Sequence, residues 1–491
     1  MPLASHRAIV ADAISYTYHG QPAPSVRDVS LSVQAGERWL ITGDSGCGKS
    51  TLARCLVGLI PHLYKGRLDG EVRLDGLRTD ATPLWQLAEK ACMVLQNVQA
   101  QMLASTVEDE IAFGLENLGL PHNEIERRIE SSLERFGLQK LRDHDPRRLS
   151  GGEGQRVMLA AMLARQSPIL VLDEPLSMLD TTAAHELVNH LTELASQQGS
   201  AIVVCEHRSR YFDRMDSLHE YVLDGRADAA AQADPPPAPG TSQRLAPGKS
   251  QGLAPLASVP SFSLSINNLS VTYGQRTVLD RLGTELSSGQ VVALVGVNGS
   301  GKTTLLRSLT RLQKYTGTVE VSDGQAVDMG LVYQNPDLQL FNPTVRDEVL
   351  YRVAAPNEEL YRWTMARLGL ERYQASSPLL LSEGEKKRLC LAMVLMRQPR
   401  HGVLLDEPTL GQDDHHRALL GRTVKGLAEA RRLVIVATHD LAWAAHFATH
   451  MLVLHEGHII AEGTPGALLR EAGLWRRVNL YVPEWIWEPI E

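Results

Sequence analysis

GDSGCGKST at residues 43–51 returns in the second half of the chain as GVNGSGKTT at residues 296–304. Each copy follows a short apolar run, RWLIT (38–42) or VVALV (291–295), whose length and β-branching predict a buried strand. After the first copy, Leu52, Leu56 and Leu59 fall at i, i+4 and i+7 and predict a helix. Both copies fit G-x-x-x-x-G-K-[ST], in which glycines let backbone N–H groups turn around phosphate oxygens and the helix start faces the same anion. The candidate cradles are Gly43, Asp44, Ser45, Gly46, Cys47, Gly48, Lys49, Ser50 and Thr51, and Gly296, Val297, Asn298, Gly299, Ser300, Gly301, Lys302, Thr303 and Thr304. Lys49 and Lys302 would reach the β- and γ-phosphates, and the Ser50 and Thr303 hydroxyls would ligate Mg²⁺.

Four further patterns recur in the same order. LQNVQAQML (95–103) returns as YQNPDLQLF (333–341), and LSGGEGQR (149–156) as LSEGEKKR (381–388). LVLDEP (170–175) returns as VLLDEP (403–408), and CEH (205–207) as ATH (437–439). Ordered recurrence of this kind is the mark of a tandem duplication. Strands alternating with helices then predict an α/β fold with a mainly parallel sheet in each half. The expected domains are 7–226 and 261–480, with a C-terminal tail at 481–491. Between them, residues 227–260 are rich in Pro, Ala, Gly and Ser and predict a flexible, partly extended linker. Another helix is predicted over 124–136, where Ile125, Ile129, Leu133 and Phe136 share a face. Asn123 and Glu126 suit its capping box and Gly137 its stop.

With 491 residues, 43% hydrophobic and 22% charged, the chain has the size and composition of a folded protein of two or more domains. No apolar run approaches the roughly 18 residues needed to span a bilayer, and the start lacks the layout of a signal peptide, so a cytosolic chain is expected. Five cysteines without paired spacing suit reduced thiols. A net charge of −8 argues against nucleic acid as a partner.

The remaining motifs carry chemistry. Asp173 and Asp406 end apolar strands, where a carboxylate can hold Mg²⁺. Glu174 and Glu407 follow at once and are placed to orient and deprotonate an attacking water. His207 and His439 follow apolar strands in both copies and read as γ-phosphate sensors. Gln96 and Gln334 offer an amide to Mg²⁺ and the water. Ser150 reads as an N-cap with Glu153 three residues on, and Gly151 and Gly152 expose N–H groups to an anion. Ser382, Gly384 and Glu385 keep that pattern in the second copy, with Glu383 where the first has Gly151.

With these motifs in order, the chain resembles two fused ATP-binding cassette (ABC) ATPase domains, over nearly everything outside the linker and tail. The resemblance implies two tandem P-loop ATPase domains, each with a mainly parallel sheet core and a helical subdomain. It also implies ATP and Mg²⁺ as ligands. In that family, ATP on one cassette is closed over by the signature helix of the other, head to tail. Site one would then combine Lys49, Gln96, Asp173, Glu174 and His207 with Ser382 and Gly384. Site two would combine Lys302, Gln334, Asp406, Glu407 and His439 with Ser150, Gly151 and Gly152. Tyr18 and Tyr273 resemble the adenine-stacking aromatic, and Asp180 and Asp413 the D-loop aspartates, although Gln412 replaces the usual Leu. Glu383 adds negative charge near the first γ-phosphate, so two competent sites are expected, the first slower.

LIPHLYKGRLDGEV (59–72), the QN-x-x-x-Q pattern, STVEDEIAFGLENLG (105–119) and NPTVRDEVLY (342–351) resemble energy-coupling factor (ECF) importers. This implies import of a vitamin, a vitamin precursor or a transition-metal ion, through integral membrane T and S components, from the cytoplasmic face of the membrane. Glu108, Asp109, Asp347 and Glu348 mark where basic coupling helices could dock. A duplicated ATPase of a sugar or peptide importer, or a soluble ribosome-associated twin cassette, would use the same chemistry with other partners. His446 and His450 read as a pair one helical turn apart, without a third zinc ligand in sequence, and Cys47 either as a small filler inside the phosphate loop or as a thiol whose alkylation would block ATP.

Overall fold

Short β-branched runs form the centre of each half because a strand buried on both faces needs no polar alternation. A computed structural model of the chain describes residues 7–21, 23–43, 46–95, 98–149, 151–177, 179, 181–207, 209–213, 215, 217–223, 258–274, 276–410, 412–482 and 486. The chain divides into two units, Met1–Pro236 and Pro237–Glu491. Most of the expected linker and tail, together with Asp44, Ser45, Gln96, Ser150, Asp180 and Gly411, lies outside the described residues.

In the first unit the central sheet runs Ala91–Val94, Ile169–Asp173, Ala201–Cys205, Arg38–Thr42, Leu218–Val222, with every pairing parallel. Arg38–Thr42 thus lies inside the sheet, with the Ala201–Cys205 strand between it and Ile169–Asp173. All strand C-termini reach one edge, so the phosphate loop, Asp173 and His207 arrive together. A second sheet, antiparallel, runs Val26–Gln34, Arg7–Tyr18, Gly66–Leu74, Leu77–Arg78. It packs through Ile9, Ile14 and Tyr16 on Leu52 and Leu56 of the helix Lys49–Leu56. Helices Val107–Glu116, His122–Arg135 and Gly151–Ala164 pack on one another as a helical layer.

The second unit repeats this plan. Its central sheet runs Met329–Val332, Gly402–Asp406, Leu433–Thr438, Val291–Val295, His450–His455, His458–Gly463, the last strand antiparallel. Its antiparallel sheet runs Arg276–Ser287, Ser263–Tyr273, Thr316–Val321. The two units differ at one sheet edge. In the second, the return strand His458–Gly463 and helices Pro465–Leu468 and Ala472–Arg477 build an apolar cluster on the sheet with Leu468, Leu474, Trp475 and Val478. In the first, Leu218–Val222 is the outermost described strand, and Val222 is 68% exposed.

The α/β expectation therefore holds in both halves, with local corrections. The helix after the first phosphate loop ends at Leu56, and Leu59 begins a separate turn, Leu59–His62. Gly58, at φ 78, takes the left-handed conformation that ends the ladder between them. The helix predicted over 124–136 spans His122–Arg135 and has no side-chain cap. Pro121 occupies the N-cap position, so Asn123 falls inside the first turn and the expected capping box cannot form. Its stop is as expected: Gly137 N–H donates to Glu134 O at 3.1 Å and Leu138 N–H to Leu133 O at 2.8 Å, a Schellman closure.

Gly402 starts the strand that carries Asp406, at φ +148, and a Cβ there would lie 1.7 Å from the Leu433 carbonyl oxygen of the paired strand. Gly402→Ala is expected to destabilise the second unit by on the order of 2 kcal/mol or more. Urea unfolding followed by a second-unit probe would read it, and an unshifted midpoint would contradict this backbone constraint.

Candidate functional site

Each phosphate loop leaves a central strand and turns into a helix that begins at its lysine. Both lysines are buried. Lys49 Nζ donates to the Gly43 carbonyl at 2.7 Å and lies 3.9 Å from Cys47 Sγ. Lys302 Nζ donates to Gly296 O at 2.8 Å and Val297 O at 3.3 Å, and lies 3.7 Å from Glu407 Oε1. The loop's own carbonyls thus hold a buried ammonium, a cation suited to an anionic ligand.

The hydroxyl that follows each lysine meets the aspartate at the end of the next strand but one. Ser50 Oγ donates to Asp173 Oδ1 at 3.0 Å, and Thr303 bonds Asp406 in the same way. Both carboxylates are buried, and each keeps one oxygen, Asp173 Oδ2 and Asp406 Oδ1, without a hydrogen-bond partner. Burial raises the Asp173 pKa; burial and then the neighbouring Glu407 push Asp406 up to about 6. A buried carboxyl with one open oxygen, a hydroxyl beside it and a charged ligand expected within reach form a set of hard oxygen donors. That donor set fits Mg²⁺.

The glutamates that follow depart from strand geometry. Glu174 and Glu407 sit at φ 50 and φ 49, a left-handed conformation that non-glycine residues rarely take. Their N–H groups donate across the sheet to Cys205 O at 2.8 Å and Ala437 O at 2.9 Å, which ties each to the strand carrying the histidine. His439 Nδ1 lies 3.0 Å from Glu407 Oε2, and its N–H donates to the same oxygen at 3.3 Å. Burial alone would raise the Glu407 pKa, but His439 and Lys302 outweigh it and hold the carboxyl below its ordinary value. In the first unit His207 Nδ1 is 3.9 Å from Glu174 Oε1 and nearer, at 3.2 Å, to Glu206 Oε1. Sequence reasoning missed Glu206. The mismatch between CEH and ATH was its available signal.

The signature segments start helices, Gly151–Ala164 and Glu383–Arg397. Ser382 forms the full capping box with Glu385: Ser382 N–H donates to Glu385 Oε2 at 2.9 Å, and Glu385 N–H to Ser382 Oγ at 3.4 Å. Glu383 is half-buried in the first turn; burial raises its pKa, Lys387 opposes this and Asp337 reinforces it. Each helix is also tied to the segment after the glutamate of its own unit. Lys387 Nζ donates to Glu407 O at 3.3 Å and Leu410 O at 2.9 Å, and Gln155 Nε2 donates to Pro175 O at 2.5 Å. Gln412 Nε2 donates to the carbonyl of Gly384 at 3.1 Å, so the residue that replaces the family's Leu braces the signature turn.

Gln334 is half-buried at the start of a loop held by side chains. Gln339 Oε1 accepts from Tyr333 N, and Glu348 accepts from Phe341 N, Asn342 N and Asn342 Nδ2 at 2.7–3.0 Å. Glu348 is fully buried, which corrects its assignment to an acidic docking face; its charge serves the loop. Glu110 does the same in the first unit, accepting from Leu103 N and Ala104 N, while Glu108 pairs with Arg142 at 2.5 Å. Tyr18 stands edge-on to Tyr16 at 4.9 Å with its hydroxyl 3.2 Å from Thr51 Oγ1, whereas Tyr273 is 46% exposed and donates to Gln313 Oε1. Asp413 caps the helix Asp414–Glu429. His446 lies in the last turn of the helix Leu441–Phe447 and His450 opens the next strand, so the two are not a helical-turn pair. Among the described residues no cluster could hold a metal through three His, Cys, Asp or Glu ligands, and no helix is long and apolar enough to cross a membrane. Cys47 is half-buried.

Comparison with known proteins agrees with this geometry. The family model described as "ABC transporter" matches residues 26–177 and 279–410. The "Putative HMP/thiamine import ATP-binding protein YkoD" of Bacillus subtilis (strain 168) is 32% identical over 526 residues, covering 97% of this chain and 96% of that protein. A "Putative ABC transporter ATP-binding protein" of Methanosarcina mazei is 32% identical over 531 residues, covering 95% and 91%. Among solved structures, an archaeal ribosome recycling factor, aABCE1, aligns over 95% of this chain and 92% of that one, with a TM-score of 0.62 and 20% identity, a likeness of fold alone. The chain belongs to the ABC transporter family, and it is an ABC ATPase with two fused cassettes.

The raised Asp406 pKa has a stability consequence. The folded state holds this proton up to about pH 6, whereas the unfolded chain releases it near 3.8, the ordinary value for an aspartate. The associated stability is therefore present below that lower value and is lost as pH rises through about 6, by at most roughly 3 kcal/mol. Urea midpoints of the nucleotide-free chain at several pH values would show it. Asp406→Asn is expected to remove that fall, and a variant with the wild-type slope would count against it.

Proposed function

We propose that this ABC ATPase powers a membrane importer of the ECF type, hydrolysing two ATP molecules in composite sites. The observation that carries the ATPase part of this reading is the pair of buried aspartates, each hydrogen-bonded to a phosphate-loop hydroxyl on one oxygen and open on the other, beside a buried lysine. Both copies keep this arrangement, together with a glutamate and a histidine at the same strand ends. Neither copy has lost a charged group that hydrolysis requires.

Ser50, Asp173 and Gln96 in the first unit, and Thr303, Asp406 and Gln334 in the second, would hold Mg²⁺. The ion, when bound, would supply charge neutralisation at the phosphate oxygens. Lys49 and Lys302 leave the loop carbonyls and pair with the β- and γ-phosphates. Glu174 and Glu407 accept a proton from the attacking water as its oxygen bonds the γ-phosphorus. The bond from that phosphorus to the bridging oxygen breaks, and ADP leaves with the electron pair. His207 and His439 donate to the γ-phosphate. The depressed pKa of Glu407 keeps it ionised at neutral pH, the form in which it can take a proton.

Ser382 and Gly384 are assigned to site one, and Ser150, Gly151 and Gly152 to site two, as the family resemblance implies. Tyr18 and Tyr273 stack on the adenines. The cassettes span 7–226 and 261–480, joined by the linker 227–260. The partners are integral membrane subunits, the T and S components, and the chain works at the cytoplasmic face. Full-length likeness to a relative named for HMP/thiamine import supports a vitamin or vitamin precursor as cargo. The ribosome recycling factor shares the fold, which carries no argument about partner. Co-expression with candidate T and S components, followed by membrane co-purification and ligand identification, tests the assignment. Recovery with ribosomes and not with membranes would overturn it.

Glu174→Gln and Glu407→Gln report on the two sites separately. Each is expected to lower kcat with little change in KM, the second by the larger factor because the first site is slower, and the double variant by on the order of 100-fold or more. Unchanged turnover in Glu174→Gln, with full loss in Glu407→Gln, would mean that the first site is silent.

A further inference from the structure

Thr438 and Glu206 occupy equivalent positions, immediately before the histidine, and they do one job in common. Thr438 Oγ1 meets Thr409 Oγ1 at 3.4 Å, and Glu206 Oε2 accepts from Leu176 N at 3.1 Å; Thr409 and Leu176 both lie two residues past the glutamate. Either residue links the histidine-bearing strand end to the turn after Glu174 or Glu407. A hydroxyl is enough for that link, as the second unit demonstrates.

Glu206 does something more. It is 0% exposed, its Oε1 accepts the His207 N–H at 2.9 Å, and the same oxygen is 3.2 Å from His207 Nδ1. In the second unit the corresponding imidazole nitrogen is 3.0 Å from Glu407 Oε2, the group that must also handle the water. In the first unit Glu174 stands off at 3.9 Å.

We propose that Glu206 is a positioning residue of the first site: it orients the His207 ring through Nδ1 so that Glu174 need not. A carboxylate that accepts Nδ1–H fixes the orientation of the ring and so sets where Nε2 faces an incoming phosphate. Oriented histidines in hydrolases rely on the same division of labour. His439 must release Glu407 before that carboxylate can take up water, whereas His207 keeps its own acceptor throughout. The two cassettes therefore enter catalysis from different starting arrangements, independently of the Gly151/Glu383 difference. This inference rests on the proposed role of His207 at the γ-phosphate.

The test is a double-mutant cycle in the full-length chain carrying Glu407→Gln, where the first site performs the chemistry. Phosphate release from Mg-ATP would be followed in single turnovers with protein in excess. Glu206→Gln, which keeps the side-chain length and loses the charge, is expected to slow the step by about 10-fold or more. The protein concentration at half-maximal rate should stay within about twofold. Glu206→Thr, which installs the residue of the second unit, should give the same loss and guards against misfolding of the first variant. Both losses should disappear in a His207→Ala background. A loss that persists undiminished there, or no loss in either variant, overturns the proposal and leaves the role of His207 standing. An unchanged rate in His207→Ala alone overturns that role, and the proposal falls with it.

Discussion

A parallel sheet brings the C-terminal ends of its strands to one edge, and everything chemical in this chain depends on that edge. Asp173 and Asp406 are drawn out of water by the apolar strands that carry them, each with one oxygen on a phosphate-loop hydroxyl and one oxygen open. Desolvation makes such a carboxylate a poor anion by itself and a strong ligand for a cation. The elevated pKa of Asp406 is the electrostatic trace of that state. The lysines are held in the opposite sense, buried on loop carbonyls until an anion arrives.

Duplication supplies an internal comparison, and the two copies agree where charge is handled and diverge around it. Gln155 and Lys387 both connect the signature helix to the turn at the glutamate, with different chemistry and different carbonyl acceptors. Lys387 stands four residues after Glu383, and its charge opposes the rise in that carboxyl's pKa. The substitution of Gly151 by Glu383 is thus accompanied by a nearby cation, which moderates the negative charge added to the signature turn. Outside the sites, the second unit closes its sheet edge with a return strand and two short helices.

Movement of nucleotide chemistry toward a partner requires a loop that is held at both ends. Glu110 and Glu348 serve there, each a buried carboxylate on a helix that accepts backbone N–H groups from the loop before it. Gln101 and Gln339 bind the same loops to the strand ends, donating to Met93 O and Leu331 O. The loop that starts at Gln334 is therefore coupled to the helical layer through charge-assisted bonds, stronger than ordinary backbone turns. A displacement of Gln334 and a displacement of the helical layer are in this way mechanically linked.

Sequence alone determined the fold class, the duplication, and several contacts between neighbours in the chain: the strand-to-helix turns of the phosphate loops, the Ser382/Glu385 capping box, the Gly137 stop. These rest on local geometry, in which spacing along the chain equals spacing in space. Tertiary structure decided what spacing cannot express. Local competition also counted: Pro121 takes the cap position expected of Asn123, and Gly58 ends the first helix before Leu59. Glu348 looked like surface charge, since a helical acidic residue reads the same whether its face meets water or an unpaired N–H. Glu206 meets Leu176 only because two parallel strands end side by side. The strand order that brings those ends together is a property of the packed sheet and of no short segment within it.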